Sequence, residues 1–270
     1  MRHTLRTFAR HAILIAFSAM IVLPLVWVLR VSLTDKLTAY KIPPEIGHLS
    51  LDNYIEVFRN FPFALWFGNS VLIAVLATLV SLPFATMMAY AAARFRTGGS
   101  ALWIAVLASQ MLPPIILVLP LFMVFLTVLP VDSRIAIVIA HVAINLPFMA
   151  WMMVSFFEGD SRALEEAARM DGATRWQAFI RIAVPVAGPG ILAAGLLGFI
   201  LSWNEFLYAL ILSDSSSQTL PVGLAGLETH AGVDIAPLAA ATLLALAPVL
   251  VLLPFLRKYL IKGLSLGALK

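Results

Sequence analysis

"GNSVLIAVLATLVSLPFATMMAYAAA", Gly68–Ala93, runs for 26 residues without a charge, between Arg59 and Arg94. A helix rises about 1.5 Å per residue, so a hydrocarbon layer of about 30 Å takes about 20 apolar residues to cross. This stretch is long enough, and it is one of several. Charge-free runs also cover Ala12–Leu29, Thr97–Val131, Ile135–Phe157, Ile182–Asn204 and Ile235–Leu256. With the ends that must lie outside lipid trimmed away, six spans are expected at about 12–31, 68–93, 101–127, 135–156, 188–212 and 237–257. The fold class expected is therefore an all-α membrane protein, residues 1–270 forming one transmembrane domain.

Composition agrees. The 270 residues are 61% apolar and only 12% charged, with a mean hydropathy of +0.97, far from the usage of soluble domains. The net charge of +4 does not point to nucleic acid, because the basic residues sit at the ends of apolar runs rather than on one face. With no cysteine, a disulfide framework, a thiolate nucleophile and Cys-ligated metal are excluded.

Six spans put both termini on one side, together with the connectors near 94–100 and 158–185. That side carries 13 of the 18 Lys and Arg residues, and the other side 5 (Arg30, Lys36, Lys41, Arg59 and Arg134). Basic residues collect on the cytoplasmic side, so both termini and the 158–185 loop are expected there. A cleaved signal peptide is the competing reading of the first 30 residues. Against it stand a run of full spanning length, Pro24, and Arg30 in place of a small-x-small cleavage pattern.

On the outer side, residues 50–66 read as an amphipathic helix lying in the interface: Ser50 or Asp52 can cap it, and Tyr54, Val57 and Phe58 recur at helical spacing. Phe61, Phe63, Trp66 and Phe67 follow as an aromatic belt. A second outer segment, Ser213–Ala236, has Asp214, Glu228 and Asp234 and no Lys or Arg.

The densest charge lies between the fourth and fifth spans, where Glu158–Arg181 holds nine charged residues in 24 positions. Leu164 to Met170 are good helix formers, with Asp160 or Ser161 placed to cap the start. Gly172 suits the left-handed residue that closes a helix. Thr174-Arg175-Trp176-Gln177 has the Thr-x-x-Gln form of a capping box that starts another, and Pro185 limits it. Two short helices joined by a tight turn are expected, with Ala167 and Ala168 allowing close approach of another backbone and Glu166 and the arginines setting register by charge. A connector between spans needs none of this, which points to a protein partner.

The string Glu166-Ala167-Ala168-x-x-Asp171-Gly172-Ala173, followed by Ile182 and Pro185, resembles the EAA motif of the permease subunits of bacterial ABC importers. "NYIEVF" (53–58), "GNSVLIA" (68–74), "MLPPIILVLPLF" (111–122), "WNEFLYAL" (203–210), "TLPVGL" (219–224) and "KGLSLGALK" (262–270) are similar to the carbohydrate, maltose-type class of that family. The resemblance implies the type I importer permease fold in the bacterial inner membrane, with the loop after the fourth span acting as a coupling helix on an ATPase subunit. It implies that role for Glu166, Ala167, Ala168, Asp171, Gly172 and Ala173. It also implies partners: two copies of the ATPase holding ATP and Mg2+, a second, related but different permease chain, an external solute-binding protein and a carbohydrate. No cofactor is expected on this chain. The phosphate-cradling Gly-x-x-x-x-Gly-Lys-[Ser/Thr] loop is missing from it, with no Gly-Lys dipeptide anywhere, so it is not expected to be an enzyme.

Polar groups within spans are costly and mark function or helix pairing. Gln110 beside the Pro113-Pro114 break, His141 and Asn145 four apart on the fourth span, and Trp203-Asn204-Glu205 in the fifth are candidates for the translocation path. Trp203 can stack on a sugar face while Asn204 and Glu205 bond its hydroxyls. Equally, Glu205 can be protonated or paired with a neighbouring helix, with Trp203 in the core. A secondary transporter of a small polar solute is the alternative function, but one carboxylate within the spans and no evident inverted repeat speak against it. A metal enzyme is disfavoured because His3, His11, His48, His141 and His230 show no ligand spacing.

Overall fold

The computed structural model describes residues 2–43, 45, 48–127, 132–159, 161–229 and 232–267. Helices dominate: α1 (Arg2–Ser32), α2 (Lys36–Ala39), α3 (Asp52–Asn60), α4 (Phe63–Phe95), α5 (Gly99–Met111), α6 (Pro114–Thr127), α7 (Ser133–Phe157), α8 (Ser161–Met170) and α9 (Arg175–Ala178). A π-helical turn, Phe179–Ala183, leads into α10 (Val184–Val186), α11 (Gly188–Trp203), α12 (Leu207–Leu212), α13 (Leu220–Ala225) and α14 (Ile235–Gly267). The described strands are the two-residue antiparallel pair β1 (Glu228–Thr229) and β2 (Gly232–Val233). The protein is all-α.

Four segments are single helices long and apolar enough to cross a membrane: Arg10–Ser32, Phe63–Phe95, Ser133–Phe157 and Ile235–Tyr259. Two more candidates are bent pairs. The stretch read as one span at 101–127 turns by 92° between α5 and α6. The cause is Pro113-Pro114: a residue before proline is pushed out of the helical region, and Leu112 takes ψ 132°. The 188–212 stretch is likewise interrupted. α11 ends at Trp203, and α12 begins at Leu207 because the Glu205 carboxylate accepts from the amides of Tyr208 (2.9 Å) and Ala209 (3.1 Å). The second bent pair is Arg175–Val186 with α11, turned by 73°.

The chain forms two compact units. The first, Met1–Ala64 with Gly223–Ala247, is tied by polar groups around a small core of Val31, Ala39, Ala236 and Ala239. Buried Asn53 donates to the carbonyls of Ser32 and Thr34, both at 2.8 Å. Asp35 caps α2 by accepting from Thr38 N–H at 3.0 Å. Ser50 Oγ accepts from Asp52 N–H at 3.0 Å as α3 starts. Lys36 bonds Asp234 (2.5 Å) and Glu56 (2.6 Å), and these two carboxylates push its ammonium pKa up.

The second unit, Leu65–Val222 with Pro248–Lys270, is built on the α7–α11 seam. Apolar burial does not drive helices together in lipid, so close packing and hydrogen bonds must do it. Gly190, Ala194 and Gly198 recur every four residues as a buried small-residue stripe. A Cβ at Gly190 would lie 2.3 Å from the Phe156 ring, and one at Gly198 would lie 2.8 Å from Met149 sulfur. Gly190→Leu is therefore expected to overpack the seam, costing about 1–3 kcal/mol. It should lower the melting temperature of the detergent-solubilised protein, whereas Gly188→Ala, where a Cβ meets nothing within 4 Å, should not.

At the end of this unit that holds the start of α4, a polar clasp orders residues 213–220. Asn69 donates to the carbonyls of Ser216 (3.0 Å) and Gln218 (2.9 Å), Arg134 Nε donates to Asn69 Oδ1 (3.0 Å), and Trp66 Nε1 donates to Gln218 (3.1 Å). Hydrogen bonds from the Ser133 hydroxyl (2.6 Å), then Ser216 and Ser217, hold the Asp214 carboxyl well below the usual carboxylate range.

Candidate functional site

The charged loop folds as a helix, a tight turn and a second helix. Gly172 has φ +92°, a left-handed conformation that costs a residue with a Cβ about 1–2 kcal/mol. Around it, Gly172 N–H bonds Arg169 O (3.1 Å) and Ala173 N–H bonds Ala168 O (3.0 Å), the paired closure of a Schellman motif. Thr174 and Gln177 then form a reciprocal capping box: Thr174 Oγ1 accepts from Gln177 N–H at 3.2 Å, and Gln177 Oε1 accepts from Thr174 N–H at 2.8 Å. The suggested cap at Asp160 lies outside the described residues, as does the side chain of Ser161.

α8 is amphipathic in the reverse sense. Leu164, Ala167 and Met170 form an apolar stripe that faces outward, Met170 being 88% exposed and Leu164 53%. Glu166 is exposed too, paired with Arg162 at 3.1 Å, an i,i+4 contact that contributes only a few tenths of a kcal/mol. Asp171 and Gly172 are exposed, and Ala168 and Ala173 half-buried. Trp176, on α9, is also uncovered, at 60% exposure. The side chain turned inward is the acidic Glu165, 5% exposed.

Glu165 is met by two residues of α4 that the motif gives no reason to select. Arg94 grips it through Nη2 (2.7 Å) and Nε (3.1 Å), and Tyr90 Oη donates to it at 2.8 Å. Arg94 Nη1 also donates to the carbonyl of Phe157, at the end of α7. The Tyr90 ring packs on Phe157 (5.6 Å) and Phe179 (4.6 Å), so α4, α7, α8 and the π turn converge on one point. Removing one partner of such a buried pair typically costs about 3–5 kcal/mol, although an apolar replacement of the whole pair can be neutral.

The membrane candidates fall into two groups. His141 and Asn145 are buried in the α7–α11 seam. Asn145 donates to Gly198 O at 3.2 Å. His141 Nδ1 lies 2.6 Å from Ser202 Oγ and its Nε2 lies 3.1 Å from Glu205 Oε2. Glu205 thus gathers three donors, from Tyr208, Ala209 and His141. With the carboxylate as acceptor, a neutral imidazole carries its proton on Nε2 and accepts from Ser202 at Nδ1. Trp203 is buried, stacked on Phe199 (5.9 Å) and edge-on to Phe67 (5.4 Å). Asn204 and Gln110 are exposed, Asn204 donating to Ile200 O at 2.8 Å. Gln110, on α5, is not brought to the His141–Glu205 group by any hydrogen bond recorded among the described residues. No cluster of three His, Cys, Asp or Glu suited to a metal occurs among the described residues.

Residues 85–266 match the model of a family described as binding-protein-dependent transport system inner membrane component. The chain is 33% identical over 251 residues to the sulfoquinovosyl glycerol transport system permease protein SmoH of Agrobacterium fabrum, covering 92% of this chain and 88% of that one. It is 32% identical over 252 residues to the trehalose/maltose transport system permease protein MalG of Thermococcus litoralis, covering 92% and 91%. In fold it is similar to a chain of a bacterial ABC transporter involved in import of the acidic polysaccharide alginate, with a TM-score of 0.78 over 94% of this chain and 96% of that one at 20% identity.

Proposed function

Because the chain belongs to the binding-protein-dependent transport inner membrane component family, a family of multi-pass inner-membrane permeases, we propose that it is the transmembrane subunit of an ATP-driven importer for a carbohydrate. The cargo is a sugar, glycoside or polyol delivered by an external binding protein. The carbohydrate class is carried over from relatives whose names specify sulfoquinovosyl glycerol and trehalose or maltose.

The observation that carries the mechanism is the reversed amphipathicity of α8. A helix that exposes Leu164 and Met170 while burying a carboxylate is built to be covered. The partner is an ATPase subunit, one of two, which holds the ATP and Mg2+ that this chain has no phosphate loop to bind. Glu166, Ala167, Ala168, Asp171, Gly172 and Ala173 form the coupling surface on the cytoplasmic side, with both termini and the 158–185 loop. The spans, the third bent at Pro113-Pro114 and the fifth broken at Asn204–Phe206, work together with those of a second, related permease chain. Closure of the ATPases displaces α8 and switches access from one side to the other. Trp203, Asn204, Glu205, His141, Asn145 and Gln110 remain the residues proposed to shape the path. His141, Asn145 and Trp203 do so from within the packing, and Asn204 and Gln110 from exposed positions.

Co-expression with the genes that neighbour its own, and purification of whatever assembles, tests this reading. The purified assembly should hydrolyse ATP, and a binding protein loaded with one of trehalose, maltose or sulfoquinovosyl glycerol should stimulate it. An assembly that forms without an ATPase would contradict the reading and favour a secondary transporter.

A further inference from the structure

We propose that Glu165, gripped by Arg94 and Tyr90, is the positioning residue through which displacement of α8 is passed to α4 and α7. The proposal rests on the docking of α8 described above and identifies how that contact reaches the membrane helices. Among the described residues of α8 only Glu165 is buried, so the one α8 side chain enclosed by the rest of its unit is a carboxylate. An apolar contact can slide, whereas a two-pronged arginine–carboxylate pair fixes distance and angle together. The pair sits in the last turn of α4, which ends at Phe95. Arg94 simultaneously holds the Phe157 carbonyl at the end of α7. Displacing α8 therefore pulls two long helices at their ends, where a small shift has the longest lever. Tyr90 adds the third tie, linking the carboxylate to Phe179, the first residue of the π turn that opens the way into α11. π turns concentrate at working sites, and this one lies where the loop rejoins the span. Buried ion pairs are poor sources of stability and better attested as devices that fix register, which is the task a force-bearing joint requires.

The test uses the complete assembly reconstituted in proteoliposomes, with the trehalose, maltose or sulfoquinovosyl glycerol that best stimulates hydrolysis as the cargo. Glu165→Gln keeps the shape and removes the charge; Tyr90→Phe removes one hydrogen bond and leaves the Arg94 pair. The ATPase should co-purify in wild-type ratio with both variants, and hydrolysis should continue. Cargo delivered per ATP should fall about fivefold or more in Glu165→Gln and by a smaller factor in Tyr90→Phe, in the range of coupling changes produced by residues remote from ligands. A merely structural role would alter assembly or melting temperature and leave that ratio untouched. A wild-type ratio in assembled Glu165→Gln, or in Tyr90→Phe where the first variant does not assemble, overturns the proposal. Glu166→Lys separates the two ideas. Loss of the ATPase from that variant alongside wild-type ratios in the others overturns the linkage alone, whereas retention of the ATPase with wild-type uptake overturns the docking on which it rests.

Discussion

Gly172→Pro is expected to leave the chain in the membrane and to reduce ATP-driven uptake by at least about tenfold, the factor equivalent to about 1.4 kcal/mol. At φ +92°, Gly172 turns the chain out of α8 and into α9. Proline fixes φ near −65° and pushes Asp171 out of the helical region. It also deletes the N–H that bonds Arg169 O. The turn must then refold, carrying Asp171, Ala173 and the α9 capping box away from the surface they share with α8. No span is touched, so insertion should survive. Gly172→Ala sharpens the argument. A Cβ there meets nothing within 4 Å, so its cost is backbone strain of about 1–2 kcal/mol and its effect should be milder. Uptake, membrane yield and ATPase co-purification together check the order wild type, Ala, Pro.

The second large effect is expected at Glu205. Glu205→Ala would remove the acceptor for the amides of Tyr208 and Ala209 and the partner of His141. Each unmade bond to a buried group costs about 1–3 kcal/mol. A total loss of about 3 kcal/mol lowers the melting temperature by roughly 10 °C for a chain of this size. Glu205→Gln keeps one acceptor oxygen and should lose less. A residue that only contacted cargo would show the opposite pattern, with uptake lost and melting temperature unchanged in Glu205→Ala. Thermal melts of the two variants in detergent, beside uptake, distinguish these cases.

The sequence made the local features readable and left the long-range ones hidden. Gly172 and the Thr174–Gln177 box are recognisable because each is decided within four or five residues by backbone conformation and capping. Pro113-Pro114 announces its bend in the same way. The break at Asn204–Phe206 has no Gly or Pro to mark it; it arises because the Glu205 side chain supplies an acceptor to α12, and an apolar run does not reveal which carboxylate will turn inward. For Glu205 the residues left cargo contact and helix pairing open, and the structure shows a hydrogen bond to His141 on the neighbouring α7. Arg94 and Glu165 lie 71 positions apart, and nothing in either neighbourhood indicates the other. A hint did exist in the helical wheel of α8: placing Leu164, Ala167 and Met170 outward leaves Glu165 on the inner face, where a buried acid needs a cation.

The most direct measurement of the central claim is a cross-link. The chain has no cysteine, so Ala167→Cys supplies a single thiol on the outward face of α8, to which a photoactivated cross-linker can be attached in the assembled complex. The account predicts a covalent product with the ATPase subunit from this position, and none from Leu37→Cys, an exposed residue that the proposed topology puts on the opposite side of the membrane. An assembled complex giving no ATPase product at position 167, or an equal yield at position 37, would contradict it.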